Sequence, residues 1–132
     1  MTTVIRVSAA VATDGTGRAL VVRKRGTDVF MQPGGKPEPG ETAAEALVRE
    51  VAEELGVTLA EAELRPLGEF TTDAANEPGH LVVADAFAVE LRADAVSPAA
   101  EIAEIRWISQ ADAARTPLAP LSRDLLLPLV WA

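Results

Sequence analysis

The chain has 132 residues, 48% hydrophobic and 24% charged, the balance of an ordinary globular protein with enough residues for a real core. A net charge of −8 argues against broad binding to nucleic-acid backbone, and the absence of cysteine removes disulfides, thiolate metal sites and cysteine nucleophiles. The N-terminal stretch has too few basic residues for a signal peptide and no segment approaches a membrane span, so a cytoplasmic protein without membrane contact is expected.

Val4 to Ala12 and Ala19 to Val22 read as strands, joined by the turn Thr13-Asp14-Gly15-Thr16-Gly17 into a hairpin. Arg23, Lys24 and Arg25 follow, and strand alternation puts Arg23 and Arg25 on one face and Lys24 on the other. Val29 to Gln32 reads as a short strand with Phe30 in the core. It leads into Gly34-Gly35, where the backbone can take conformations that other residues resist and its polar groups stay approachable. Pro33, Pro37 and Pro39 stiffen this segment, and Gly40 turns it into a helix.

That helix is the best-marked element. Thr42 and Glu45 have capping-box spacing, Ala43 to Leu55 are mostly strong helix formers, and Gly56 suits a left-handed stop. Leu47, Val48, Val51 and Leu55 give one apolar face to bury. Glu50, Glu53 and Glu54, at i, i+3 and i+4, project from a second face. Their mutual repulsion costs only about 0.2–0.5 kcal/mol per exposed pair, so charge crowding alone does not demonstrate a ligand, and a solvated face is the ordinary outcome. The glycine turn just before the helix is what points to a metal–diphosphate site. Mg²⁺ or Mn²⁺ prefers such hard oxygen donors. On this reading the face bearing Arg23 and Arg25 is the candidate for contact with substrate phosphates.

Leu59 to Glu63 is a linker with helical tendency, and Leu64 to Thr72 is a strand. His80 to Leu91, apolar on both faces, reads as a central strand in which Asp85 is the odd residue. His80, the only histidine, reads as structural. Glu101 to Ile108 is a last short strand, Ser109 to Asp112 starts a short helix, and Leu118 to Trp131 is apolar enough for a terminal helix despite Pro120 and Pro128.

Set in order, Gly35, Glu41, Arg49, Glu50, Val51, Glu53, Glu54, Gly56 and Val57 follow the pattern G-x5-E-x7-R-E-U-x-E-E-x-G-U, with U apolar. This resembles the signature of the Nudix hydrolases at every fixed position. The apolar N-terminal strand and the late segment ending in Trp107 are similar to that family too. The resemblance implies the Nudix fold, an α/β/α sandwich with a mixed β-sheet between helices, as a single domain over residues 1–132.

Carried over by position, Glu50, Glu53 and Glu54 would hold Mg²⁺ or Mn²⁺, one of them also activating water, and the Gly34 carbonyl would complete the coordination. Arg49 and Glu41 would brace the cluster, and Lys36 would neutralise a leaving phosphate. Glu101 resembles the further metal ligand of the MutT-like branch, with Glu104, Glu77 and Asp85 as competitors. The implied activity is metal-dependent hydrolysis of a nucleoside diphosphate linked to another moiety, giving NMP and X-phosphate, with a nucleoside triphosphate or modified nucleotide as substrate. ADP-ribose or nucleotide-sugar hydrolysis is an alternative. A noncatalytic Nudix-like nucleotide-binding module is another, although such modules commonly lose carboxylates that this chain retains. Beyond a small nucleotide, a second copy of the chain in a homodimer is the one partner the family implies.

Overall fold

Strands β1 (Thr3–Thr13) and β2 (Ala19–Lys24) pair antiparallel as the expected hairpin. Its turn is closed by Asp14, whose carboxylate accepts from the Thr16 amide, the Thr16 hydroxyl and the Arg18 guanidinium. The computed structural model describes residues 2–74 and 78–132. Glu77 lies outside the described residues.

The remaining elements are β3 (Gly34–Gly35), α1 (Ala43–Leu55), β4 (Arg65–Asp73), β5 (His80–Glu90), β6 (Ile102–Ile108) and the short α2 (Gln110–Ala113). The strands form one sheet in the order β4-β5-β1-β2-β6, with β3 paired to β1. Only the β1–β5 pair is parallel, so the sheet is mixed, as expected. β5 is flanked by β1 and β4, which explains its apolar character on both faces.

Side-chain alternation sorts the core into two layers. Ala10, Ala12, Leu20 and Val22 point to α1 and pack with Leu47, Val51 and Leu55. Their neighbours Ala9, Val11, Ala19 and Val21 point the other way, onto Phe30, Leu118, Leu126 and Leu127. Leu47, Val51 and Leu55 have no exposed surface, and each such burial is worth about 1.5–3 kcal/mol. The sheet is thus covered on both faces, the α/β/α arrangement of the Nudix fold.

Two local expectations change. Phe30 and Met31 make only isolated bridges, to Leu118 and Val22, and the paired segment is Gly34–Gly35 itself, lying against Ser8 and Ala9 of β1. The C-terminal segment is not one regular helix: a π-helical turn at Ser122–Leu126 runs into a 3-10 turn at Leu127–Leu129. Pro128 has no N–H to give, which accounts for the irregular bonding there.

Candidate active site

Gly34 is where the turn and the helix meet. Its φ is 149°, and a Cβ there would stand 1.9 Å from the Ser8 carbonyl oxygen, so only glycine lets the backbone lie this close to β1. The Ala10 amide donates to the Pro33 carbonyl at 2.9 Å, and the Ser8 hydroxyl donates to the Ala43 carbonyl at 2.8 Å. The sheet therefore fixes both the glycine strand and the start of α1. The helix is capped as its sequence predicts: Thr42 accepts from the Glu45 amide, and Glu45 accepts from the Thr42 amide.

From this frame the three helix glutamates diverge in environment. Glu54 is 1% exposed; its Oε1 accepts from the Gly34 amide at 3.0 Å, and its Oε2 has no hydrogen-bond partner among the described residues. Burial pushes the Glu54 carboxyl up to about 7; the Gly34 N–H opposes this and the charge of Glu50 adds to it. Glu50 lies against Gly35, where a Cβ would meet its carboxylate at 2.7 Å. Glu53 is exposed.

Arg49 holds the rim together. It bonds both oxygens of Glu41 at 2.8 and 2.9 Å, Glu50 at 2.9 Å and the Lys36 carbonyl at 3.2 Å, and stands 3.5 Å from Glu53. The Arg49 guanidinium, with the Glu38 N–H, holds the Glu41 carboxyl down to about 2. Among the described residues no three acidic or histidine side chains converge closely enough to hold a metal. Lys36 is exposed.

The residues outside the helix separate into two sets. Glu101 pairs with Lys24 at 3.3 Å, and both charges bear on Glu54, Lys24 lowering its carboxyl and Glu101 raising it. Glu104 instead pairs with Arg23 and Arg106, and Asp85 pairs with Arg6. Arg23 also donates to the Thr27 carbonyl and Arg25 to the Ala100 carbonyl. It is Lys24, not Arg23 or Arg25, that lies beside the glycine strand. Phe30 is in the core, 2% exposed, with the Arg106 guanidinium 4.4 Å above its ring.

On the far side of Gly34–Gly35 the sheet and the segment around Pro120 and Leu121 enclose a cavity of about 270 Å³. Val7, Ala9 and Val82 are among its apolar lining residues, while Ser8, Lys24, Gln32, Thr72, Asp73 and Ser122 are its polar ones. Sequence reasoning passed over Gln32, although a glutamine after Val29, Phe30 and Met31 breaks an apolar run just where the turn begins.

A family model described as the NUDIX domain matches residues 3–128. No curated protein matches the chain. Among solved structures, it is similar to the E. coli ORF135 protein, with 27% identity over 96% of this chain and 88% of that one and a TM-score of 0.72. The E. coli dihydroneopterin triphosphate pyrophosphohydrolase is 21% identical over 96% of this chain and 94% of that one, with a TM-score of 0.79. A bifunctional NMN adenylyltransferase/ADP ribose pyrophosphatase from Francisella tularensis, complexed with AMP and a Mn ion, is 18% identical over 99% of this chain and 42% of that one, with a TM-score of 0.72. The last two likenesses speak to the fold. With the family model matching nearly the whole length, and the signature residues built into one glycine strand and the helix behind it, the chain belongs to the Nudix family of pyrophosphohydrolases.

Proposed function

We propose that this Nudix hydrolase, acting as one domain, cleaves the diphosphate bond of a nucleoside triphosphate or a modified nucleotide, releasing NMP and pyrophosphate. One observation carries the reading: Gly34–Gly35 forms a wall common to the carboxylates of α1 and to the apolar cavity. A nucleotide has the matching two ends, a flat base and a polyanionic tail. At about 270 Å³ the cavity is at the small end of ligand sites, which begin near roughly 300 Å³, and that favours one nucleoside over a dinucleotide.

Nudix hydrolases generally depend on a divalent metal, and the chemistry of the donors here suits one, although among the described residues no three acidic side chains converge. The donors are hard oxygens, and Glu54 Oε2 is buried without a partner. We assign Glu50, Glu53, Glu54, the Gly34 carbonyl and Glu101 as the groups that would hold Mg²⁺ or Mn²⁺. When bound, the metal supplies neutralisation of phosphate oxygens and a lowered pKa for water. Arg49, fixed by Glu41, sets the positions of Glu50 and Glu53. Lys24 takes the phosphate-facing role expected of Arg23 and Arg25, and Lys36, on the exposed rim, is assigned to the leaving phosphate. Burial raises the Glu54 carboxyl in the metal-free protein, and once deprotonated it would offer Oε2 to the cation.

The test is pyrophosphate release from nucleoside triphosphates and, from ADP-ribose, nucleotide-sugars and dinucleoside polyphosphates, formation of the nucleotide and phosphomonoester products read as phosphate after phosphatase treatment, with Mg²⁺ and with Mn²⁺. The expected result is release from nucleoside triphosphates, abolished by EDTA and by Glu53→Gln. Turnover confined to ADP-ribose, the substrate class named for the F. tularensis enzyme, would replace the substrate but keep the chemistry. Silence on every substrate, with nucleotide binding that survives Glu53→Gln, would identify a binding module instead.

A further inference from the structure

We propose that the side-chain amide of Gln32 selects the substrate's base, by hydrogen bonding the edge of a nucleobase seated in the cavity behind Gly34–Gly35. The inference rests on the nucleotide reading above and goes beyond it by naming the group that discriminates.

Gln32 is 7% exposed, and both its amide nitrogen and its amide oxygen are buried with no hydrogen-bond partner among the described residues. Buried side-chain amides are nearly always satisfied, because leaving them unpaired forfeits their hydration without return. Gln32 lines the same cavity as Val7, Ala9 and Val82. Those apolar walls hold a flat ring without telling one base from another. Ser8, also on the lining, has already given its hydroxyl proton to the Ala43 carbonyl. Lys24 is paired with Glu101 at the glycine-strand side, where the phosphates belong. Thr72, Asp73 and Ser122 also line the cavity, but Gln32 alone among its lining residues carries a donor and an acceptor side by side on one side-chain amide, the pattern that pairs with a base edge presenting an acceptor beside a donor. A site built to hydrogen-bond its ligand rejects one that leaves its polar groups unpaired, so a buried amide discriminates where an apolar wall does not.

Position supports the same role. Gln32 is two residues before Gly34, whose amide is tied to Glu54. A base held by Gln32 and phosphates lying along the glycine strand belong to one substrate, and the rigid Pro33 between them keeps the spacing.

The experiment is kcat and KM for ATP, GTP, CTP and UTP and their deoxy forms, with wild type, Gln32→Leu and Gln32→Glu, together with the thermal midpoint of each protein. Gln32→Leu is expected to lower kcat/KM for the preferred base roughly 5- to 100-fold, mainly through KM, and to level the panel. Its midpoint should not fall, because it removes an unpaired amide. Gln32→Glu offers acceptors only, so preference should move toward guanine, whose N1–H and N2–H are adjacent donors. If wild type turns over nucleotides and both variants keep its order of preference within twofold, Gln32 is not the reader; a water satisfying the amide predicts that result. If wild type turns over no nucleotide, the nucleotide reading itself fails and takes this inference with it.

Discussion

The backbone amide of Gly34 donates to Glu54 Oε1 at 3.0 Å, and this one bond joins the glycine strand to the helix face it serves. It fixes one oxygen of a buried carboxylate and leaves the other free, so the position of Glu54 is set by backbone before any ligand arrives.

The two glycines should therefore fail differently. Gly34→Ala combines a disfavoured φ, costing about 1–3 kcal/mol, with a Cβ set against the Ser8 carbonyl. It should lower the thermal midpoint by several degrees or prevent folding. At Gly35 the obstacle is the end of the Glu50 side chain, which can swing aside. Gly35→Ala is expected to keep a near-wild-type midpoint while weakening Mn²⁺ binding in titration calorimetry. Equal destabilisation by the two would show that this reading of their packing is wrong.

Arg49 has its own signature. Arg49→Ala frees Glu41, Glu50 and Glu53 at once and should lower metal affinity or activity about 10–100-fold, the usual effect of removing a group that positions ligands. Arg49→Lys should recover little, since lysine keeps the charge and loses the two-pronged contact with Glu41. The Glu41 carboxyl is held down to about 2, so the stability it contributes is complete above its ordinary value near 4.5 and is lost as pH falls toward 2. The gap in midpoint between wild type and Arg49→Ala, followed from pH 7 down to pH 2.5, should accordingly narrow below about pH 4.5.

These residues also mark how far sequence carries. Thr42, Glu45, Leu47, Val51, Leu55 and Gly56 announce α1 because capping and periodicity are local, and the structure has that helix between the expected ends. The different fates of Glu50, Glu53 and Glu54 were not legible. They depend on the register of Gly34–Gly35 against β1, a contact between segments far apart in the chain. Pairing at Gly34–Gly35 was obscured for a related reason: two glycines read as a turn when nothing local reveals a strand waiting alongside. Strand alternation separates Lys24 from Arg23 and Arg25 but does not say which face meets the substrate, and the pairing with β6 shifts register between Arg23 and Lys24. Gln32 needed the cavity to give it meaning.

Lys24 and Arg25 form a direct comparison. Lys24 stands by the glycine strand and Glu101, whereas Arg25 is exposed and spends its guanidinium on the Ala100 carbonyl. Lys24→Met is expected to cut kcat/KM about tenfold or more, in line with loss of a charged hydrogen bond to a phosphate. Arg25→Met should stay within about threefold of wild type. Steady-state kinetics on the preferred nucleotide decides it, and the reverse order would return the phosphate contact to the arginine face.

Glu54 ties metal binding to pH. With its carboxyl raised to about 7 in the metal-free protein, the folded state binds more protons than the unfolded chain between about pH 4.5 and 7. Stability of the metal-free protein should thus fall as pH rises through that window, by on the order of 3 kcal/mol, and Glu54→Gln should flatten the slope. A cation prefers the carboxylate, so its binding must expel the proton. At pH 7, titration calorimetry with Mn²⁺ in buffers of different ionisation enthalpy should give release of about half a proton, declining by pH 8.5. Apparent affinity should rise between pH 5.5 and 8, while Glu54→Gln loses both the release and most of the affinity. Proton release that persists in Glu54→Gln would assign the linkage to another carboxylate of the cluster.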